Sequence, residues 1–445
     1  MDPSYGSVPA RVSLNFFGAA SLAGASRNCR KSTRRSTPAE TDPYKFDAVA
    51  TDREQLPSLE QLRSWLEELE KIERPSASEG EREAAEWIVE RFAEVGAEAR
   101  IEAETAHGTY WWPLGLGAAL GVLGGLLGMR GRRFLGAILG AIGAGGIAAD
   151  FPPGKRPLRR LLRKRTTYNV VCELGPAEAE RTIVLVAHHD AAHSGLIFHP
   201  EIPKLADRLG LLEGKDTSPM LMAPVVGGPI MAAIGALTGN RRLAKLGALC
   251  GLGTVAAMAE TGLRDVVPGA NDNGTGVIAL LALAKRLIEE PTKDLRVILL
   301  SAGSEESFSE GIKAFGERHF AELPRESTFF LCVESLGSPH LLVLRGEGFL
   351  KMREYPQRAL ALIDGLAEEL GIWLYPNLRL HNGTDGLEPL AAGYETAALC
   401  ACNDLKQPAY YHWHNDVAAN VEFGTVADGI RLSEAAIRRL DQRWL

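Results

Sequence analysis

From Ser58 onward apolar residues recur at helical spacing, in Leu62, Trp65, Leu66 and Leu69, which predicts a helix burying one stripe. A second helical pattern runs from about Glu81 to Val95 and is closed by Gly96. After it, short β-rich apolar runs at 167–173, 182–187, 296–302, 328–334 and 397–402 alternate with helical patterns at 277–289, 311–323 and 357–370. Several of the runs are apolar on both faces, as a sheet covered by helices requires. The expected class is α/β, three-layered, with a mixed and mostly parallel central sheet.

Two longer apolar blocks interrupt this rhythm. Trp111–Met129 is 19 residues without a charge, followed by Arg130, Arg132 and Arg133 and then by the apolar stretch 134–149. The second block repeats the plan: 217–240 carries no charge, Arg241, Arg242 and Lys245 follow, and 246–259 is apolar again. Both are rich in Gly and Ala, as tightly packed membrane helices are. A span needs about 20 apolar residues, so the first arm of each hairpin is long enough and the second is short. The expectation is membrane association by tilted, partial or re-entrant insertion, against the alternative of a soluble four-helix subdomain of small residues. Basic residues at the hairpin tips are matched by the run 155–165 at the base of the first, so charge fixes neither orientation nor compartment. That basic run suits anionic lipid headgroups.

Composition changes the picture only at the edges. The chain of 445 residues is 46% hydrophobic and 24% charged, enough for a large core. A net charge of -7 with no overall basic excess excludes nucleic acid as the expected partner. The six cysteines are scattered and read as small buried hydrophobes rather than a disulfide framework. No acidic residue lies between Asp2 and Glu40, so residues 1–54 are expected to be a disordered leader or targeting segment. Residues 55–445 then form one enzyme domain, interrupted by insertions at 109–165 and 196–266.

The polar chemistry gathers where such a sheet collects catalytic residues, at the carboxyl ends of strands. One run ends in His188-His189-Asp190, another leads into Ser304-Glu305-Glu306, a third ends at Glu334, and Tyr411-His412 follows the last. Histidine and carboxylate are zinc ligands, and His188, Asp272, Glu306, Glu334 and His412 can hold two zinc ions if one carboxylate bridges. Asp272 suits the bridge because the small residues around it let the backbone approach. Three carboxylates leave two divalent ions with one positive charge, which a metal-bridging hydroxide neutralises. Glu306 then binds metal while Glu305 is the general base, and Asp190 accepts a hydrogen bond from the ring nitrogen of His188 that faces away from the metal. His189, His193, His199, His381 and His414 are poorer candidates, with His381 and His414 the ones to line a site. No G-x-S-x-G elbow and no H-E-x-x-H helix occurs.

Taken in order, Ala187-His188-His189-Asp190, Gly269-Ala270-Asn271-Asp272-Asn273, Ser304-Glu305-Glu306, Val333-Glu334-Ser335-Leu336-Gly337 and Tyr411-His412-Trp413-His414-Asn415-Asp416 resemble the motif set of the M28 zinc aminopeptidases. The resemblance runs from about Ser58 to the C-terminus apart from the two insertions. It implies a phosphorylase/hydrolase-like fold, a co-catalytic zinc pair and a cis peptide after the bridging aspartate. One zinc would take His188, Asp272 and Glu334, and the other Asp272, Glu306 and His412. Three departures stand out: Glu334 where the family usually has Asp, Thr384-Asp385-Gly386 for Ser-Asp-His, and Trp413 for a common Thr beside the last ligand. The expected function is a zinc-dependent exopeptidase, an aminopeptidase acting on peptides. The alternatives are a glutaminyl-cyclase-like transferase using one zinc and a non-catalytic membrane scaffold on the same fold.

Overall fold

The computed structural model describes residues 57–220 and 222–445; the expected leader and Cys29 lie outside them. Two helices come first, α1 (Leu59–Leu69) and α2 (Glu79–Glu94). Their N-termini are capped by Ser58 and Ser78, whose hydroxyls accept from the amides of Gln61 and Glu81. Strand β1 (Ala99–Ala106) leads into α3 (Trp111–Met129) and α4 (Arg133–Ala148). Then come β2 (Arg165–Leu174), β3 (Arg181–His188), α5 (Glu201–Arg208), α6 (Ala223–Thr238) and α7 (Arg241–Thr261). The remainder alternates: α8 (Thr275–Glu289), β4 (Leu295–Ala302), α9 (Glu310–His319), β5 (Thr328–Glu334) and β6 (His340–Val343). Short strands β7 (Gly346–Glu347), β8 (Arg353–Glu354) and β9 (Arg379–Leu380) make a small separate sheet, interleaved with α10 (Gln357–Leu370). The chain closes with α11 (Leu387–Ala392), β10 (Glu395–Cys402) and α12 (Phe423–Gln442).

The main sheet has seven strands in the order β1-β2-β4-β3-β5-β10-β6. Its central four strands, β4-β3-β5-β10, are parallel, while β1, β2 and β6 join antiparallel at the edges. Strand β3 is buried over nearly its whole length, which accounts for its two-sided apolar sequence. Helices α8, α10 and α12 cover the sheet, with α1 and α2 beside them, and α9 and α11 form a second group. This is the three-layered α/β architecture the sequence predicts. Edge strand β1 and the long helix α12 were not singled out in the sequence, although Phe423, Val426, Ile430, Ile437 and Leu440, all buried, carry helical spacing along α12. Cys172, Cys332, Cys400 and Cys402 are buried and free.

The two apolar insertions meet. Helices α3, α4, α6 and α7 pack against one another as a four-helix bundle. Glycine and alanine fill its interior, and the large apolar side chains point out: Phe134 is 78% exposed, Ile138 55% and Leu252 56%. The interior contacts are backbone to backbone. A Cβ on Gly140 would lie 2.8 Å from the Ala233 amide nitrogen and 2.9 Å from the Pro229 carbonyl oxygen, and one on Gly125 would lie 2.7 Å from the Ala244 carbonyl oxygen. The first contact joins α4 to α6 and the second α3 to α7, so the hairpins interlock. Among the described residues two helices, α3 and α7, are long and apolar enough to cross a membrane.

Candidate active site

The carboxyl ends of the four parallel strands supply the site. His188 is the last residue of β3, Glu305 and Glu306 follow β4, Glu334 ends β5, and the chain leaving β10 returns with His412. Asp272 comes from a kinked turn just before α8. The Asp272–Asn273 peptide is cis, as the resemblance implies. Asn273 locks this turn to β5: its amide donates to the Val333 carbonyl at 3.0 Å, and its oxygen accepts from the Gly276 and Ser335 amides. All the expected site residues therefore arrive in one place, each buried or nearly so.

Asp272 sits between two histidines. Its Oδ1 is 3.4 Å from His188 Nε2 and its Oδ2 is 3.5 Å from His412 Nε2, while His412 Nε2 is also 3.2 Å from Glu306 Oε2. Donor atoms of His188, Asp272 and Glu334 lie within 4.8 Å of one another, as do those of Asp272, Glu306 and His412. These are the two triads that the resemblance implies, sharing Asp272. Glu305 also approaches His188 Nε2, at 4.0 Å, but its carboxylate opens on the adjoining cavity.

Charge in the cluster is out of balance without cations. Burial pushes Glu305, Glu306 and Glu334 above the usual carboxylate range, and for Glu305 the neighbouring Glu334 and Glu306 add to it. Burial opposes ionisation of Asp272 too, but the facing imidazoles of His188 and His412 hold it below that range. Burial disfavours a charged His412, yet Glu306 and Asp272 lift it to about 10. His188 Nε2 and Glu306 Oε1 are buried and make no hydrogen bond. Two divalent cations would satisfy both facts at once, since they would complete those atoms and neutralise carboxylates packed too closely to ionise together. The donor set therefore fits zinc.

Asp190 holds more than His188. His188 Nδ1 is 3.2 Å from the Asp190 main-chain carbonyl and 3.4 Å from its Oδ1. The Asp190 carboxylate accepts from the amides of Glu305 and Glu306 at 2.9 and 3.1 Å and from the Ser76 hydroxyl at 2.5 Å. Three supporting residues were not singled out in the sequence. Asp416 accepts from the amides of Asn271 and Asp272 at 2.6 and 3.1 Å. Arg74, fully buried, donates to the carbonyls of His189, Pro268 and Gly269. Glu81 accepts from Thr167, Ser304 and the amides of Ala77 and Tyr168. Asp416 had a signal, its place in the last motif; Arg74 and Glu81 looked like ordinary charges at a helix start.

A cavity of about 260 Å³ opens beside Glu305, Glu306 and Asp272, walled by Tyr110, Phe198, Met222, Phe308 and Phe349. Tyr110 and Met222 are the residues immediately before α3 and α6, so the base of the bundle forms part of the wall. His381 lines the cavity, whereas His414 is exposed. Trp413 packs on His199 at 5.0 Å rather than on the cavity, because neighbouring side chains leave this turn in different directions.

Residues 254–435 match the model of Peptidase family M28. The match is to that segment, which is similar in sequence to the M28 peptidases. The matched segment contains Asp272, Glu305, Glu306, Glu334 and His412; His188 and Asp190 precede it. No curated protein matches the chain. Among solved structures, the chain is similar to an aminopeptidase from Aneurinibacillus sp. strain AM-1 at 13% identity, TM-score 0.52, covering 87% of this chain and 94% of that one. It is also similar to BSAP, a zinc aminopeptidase from Bacillus subtilis, at 13% identity, TM-score 0.51, covering 86% and 96%. At this identity the likeness is one of fold.

Proposed function

We propose that this protein is a zinc-dependent exopeptidase, an aminopeptidase acting on peptides, held to a membrane by its four-helix bundle. The observation that carries the catalytic reading is the pair of triads sharing Asp272, with Glu305 beside them at the cavity wall. His188, Asp272 and Glu334 would hold one zinc, and Asp272, Glu306 and His412 the other. Bound there, zinc would supply Lewis acidity and lower the pKa of water toward about 7. Glu305 would take the proton of the attacking water and return it to the departing amine. Asp190 fixes Glu305 through its amide and keeps the His188 ring in place. A cavity of about 260 Å³ suits one end of a peptide better than an extended chain, and both solved relatives are named aminopeptidases.

The purified full-length protein is expected to contain close to two zinc ions per chain and to release amino acids from aminoacyl p-nitroanilides. Glu305→Gln should keep the zinc and lose about 100-fold or more in turnover. Folded, unchelated protein without zinc would end this reading, as would a Glu305→Gln enzyme that keeps more than about a tenth of its rate. A single zinc together with cyclisation of amino-terminal glutamine would replace it with the transferase.

A further inference from the structure

The segment that closes the first hairpin is pinned to the loop carrying Glu305 and Glu306. Asp150 follows α4, and Arg159 lies in the 3-10 turn Pro157–Leu161. Both are buried, at 0% and 1% exposure. Arg159 grips Asp150 with two nitrogens, Nε at 3.0 Å from Oδ1 and Nη2 at 2.8 Å from Oδ2, and its Nη1 lies 3.0 Å from Glu310 Oε1. Glu310, in the first turn of α9, also accepts from the amides of His107 and Gly108 at 2.9 Å each and from the Ser307 hydroxyl at 2.7 Å. Asp150 and Arg159 belong to the insertion, whereas Glu310 and Ser307 belong to the segment that follows Glu306; none of the four is a proposed zinc ligand.

The loop it holds needs holding. Ser304, Phe308 and Ser309 have φ of 52°, 68° and 54°, a conformation that side-chain-bearing residues keep only when their surroundings impose it. Two internal bonds help, from the Ser309 amide to the Glu305 carbonyl and from the Glu310 amide to the Ser304 carbonyl. Arg159 acts from outside: it anchors Glu310 and lies over the Phe308 ring at 5.9 Å, and Phe308 in turn stacks on Tyr110 at 5.0 Å. Arginine can bridge two carboxylates with its rigid fork; a lysine ammonium cannot reproduce that geometry.

We infer that Arg159 is a positioning residue for the Glu305–Glu306 loop, so that the base of the apolar bundle is a working part of the catalytic centre rather than an anchor alone. The inference rests on the proposed role of Glu305. It is tested in the full-length, zinc-loaded protein by Arg159→Lys, which keeps the charge, and by the triple variant Asp150→Asn, Arg159→Met, Glu310→Gln, which neutralises the network. Both should retain zinc. The expected change is a fall in kcat of about 10- to 100-fold with KM altered less than about threefold, and faster amide hydrogen exchange over 304–310. Folded variants with kcat within about twofold of the parent, or with unchanged exchange over that loop, would overturn it. So would failure of both to fold, which would make Arg159 a folding residue. If the parent protein hydrolyses no peptide, the reading of Glu305 fails, and hydrogen exchange alone then decides the role of Arg159.

Discussion

His188 and His189 are adjacent in sequence and have opposite fates. His188 faces Asp272 across the site, while His189 turns inward, fully buried, with Nδ1 3.0 Å from the Ser301 hydroxyl. Burial pushes the His189 imidazole down to about 4. In the unfolded chain it titrates near the usual value of about 6.5. Between these values the unfolded chain binds a proton that the folded one refuses, so the contribution of a neutral His189 is complete above pH 6.5 and is lost as pH falls toward 4. The difference at pH 5 is about 2 kcal/mol. His189→Gln should therefore lose less stability than the parent between pH 7.5 and pH 5, as read by melting in mild detergent at both values. Identical pH dependence in the two proteins would show that His189 does not titrate in this window.

The bundle is best argued at the level of elements. In a water-soluble bundle the large apolar side chains meet in the middle; here small residues do, and leucine, isoleucine and phenylalanine face outward. Close backbone approach gives such helices their cohesion, and an apolar solvent would accept the outward face. Gly140→Leu should force α4 away from α6, because even a Cβ there meets backbone atoms at 2.8 and 2.9 Å. A loss of about 1–3 kcal/mol is expected, seen as a drop of several degrees in melting in detergent. Ile138→Ala, at an outward position that is 55% exposed, should change melting little. Equal melting of Gly140→Leu and the parent would mean that the helices do not pack this tightly.

For the described chain as a whole, the question is what the outward face touches. Both hairpins leave and re-enter on the catalytic side, and their basic tips lie together, with a Cβ on Gly239 falling 2.7 Å from the Arg133 guanidinium. The catalytic cavity lies at the opposite end, walled by Tyr110 and Met222. If the bundle is lipid-embedded, full-length protein should sediment with membranes and need detergent for release. A version in which 113–147 and 224–258 become short linkers, keeping Tyr110, Asp150 and Met222, should stay in the soluble fraction. Full-length protein that is soluble and monodisperse without detergent would leave the bundle a soluble subdomain, with the peptidase reading untouched.

Periodicity and motif order were enough for the α/β class, for the central strands, and for picking out His188, Asp272, Glu305, Glu306, Glu334 and His412 as candidates that the fold brings together, because a buried strand ending in ligand-type residues is a local signal. The same holds for the presence of two apolar hairpins, but in the second the expected arm lengths are reversed: α7, with 21 residues, is the long helix and α6, with 16, the short one. Folding alone decided that the hairpins interlock, since glycine contacts between distant helices leave no trace in either segment by itself. It also set the distances within the Glu305-Glu306 pair, Glu306 lying by His412 and Glu305 approaching His188, because adjacent residues diverge in a direction set by strained backbone. The supports behind the site came from far along the chain: Arg74 from before α2, Asp416 from beyond β10, and Arg159 from an insertion. Long-range hydrogen bonds of this kind have no sequence spacing, so only the assembled sheet and bundle bring them to the site.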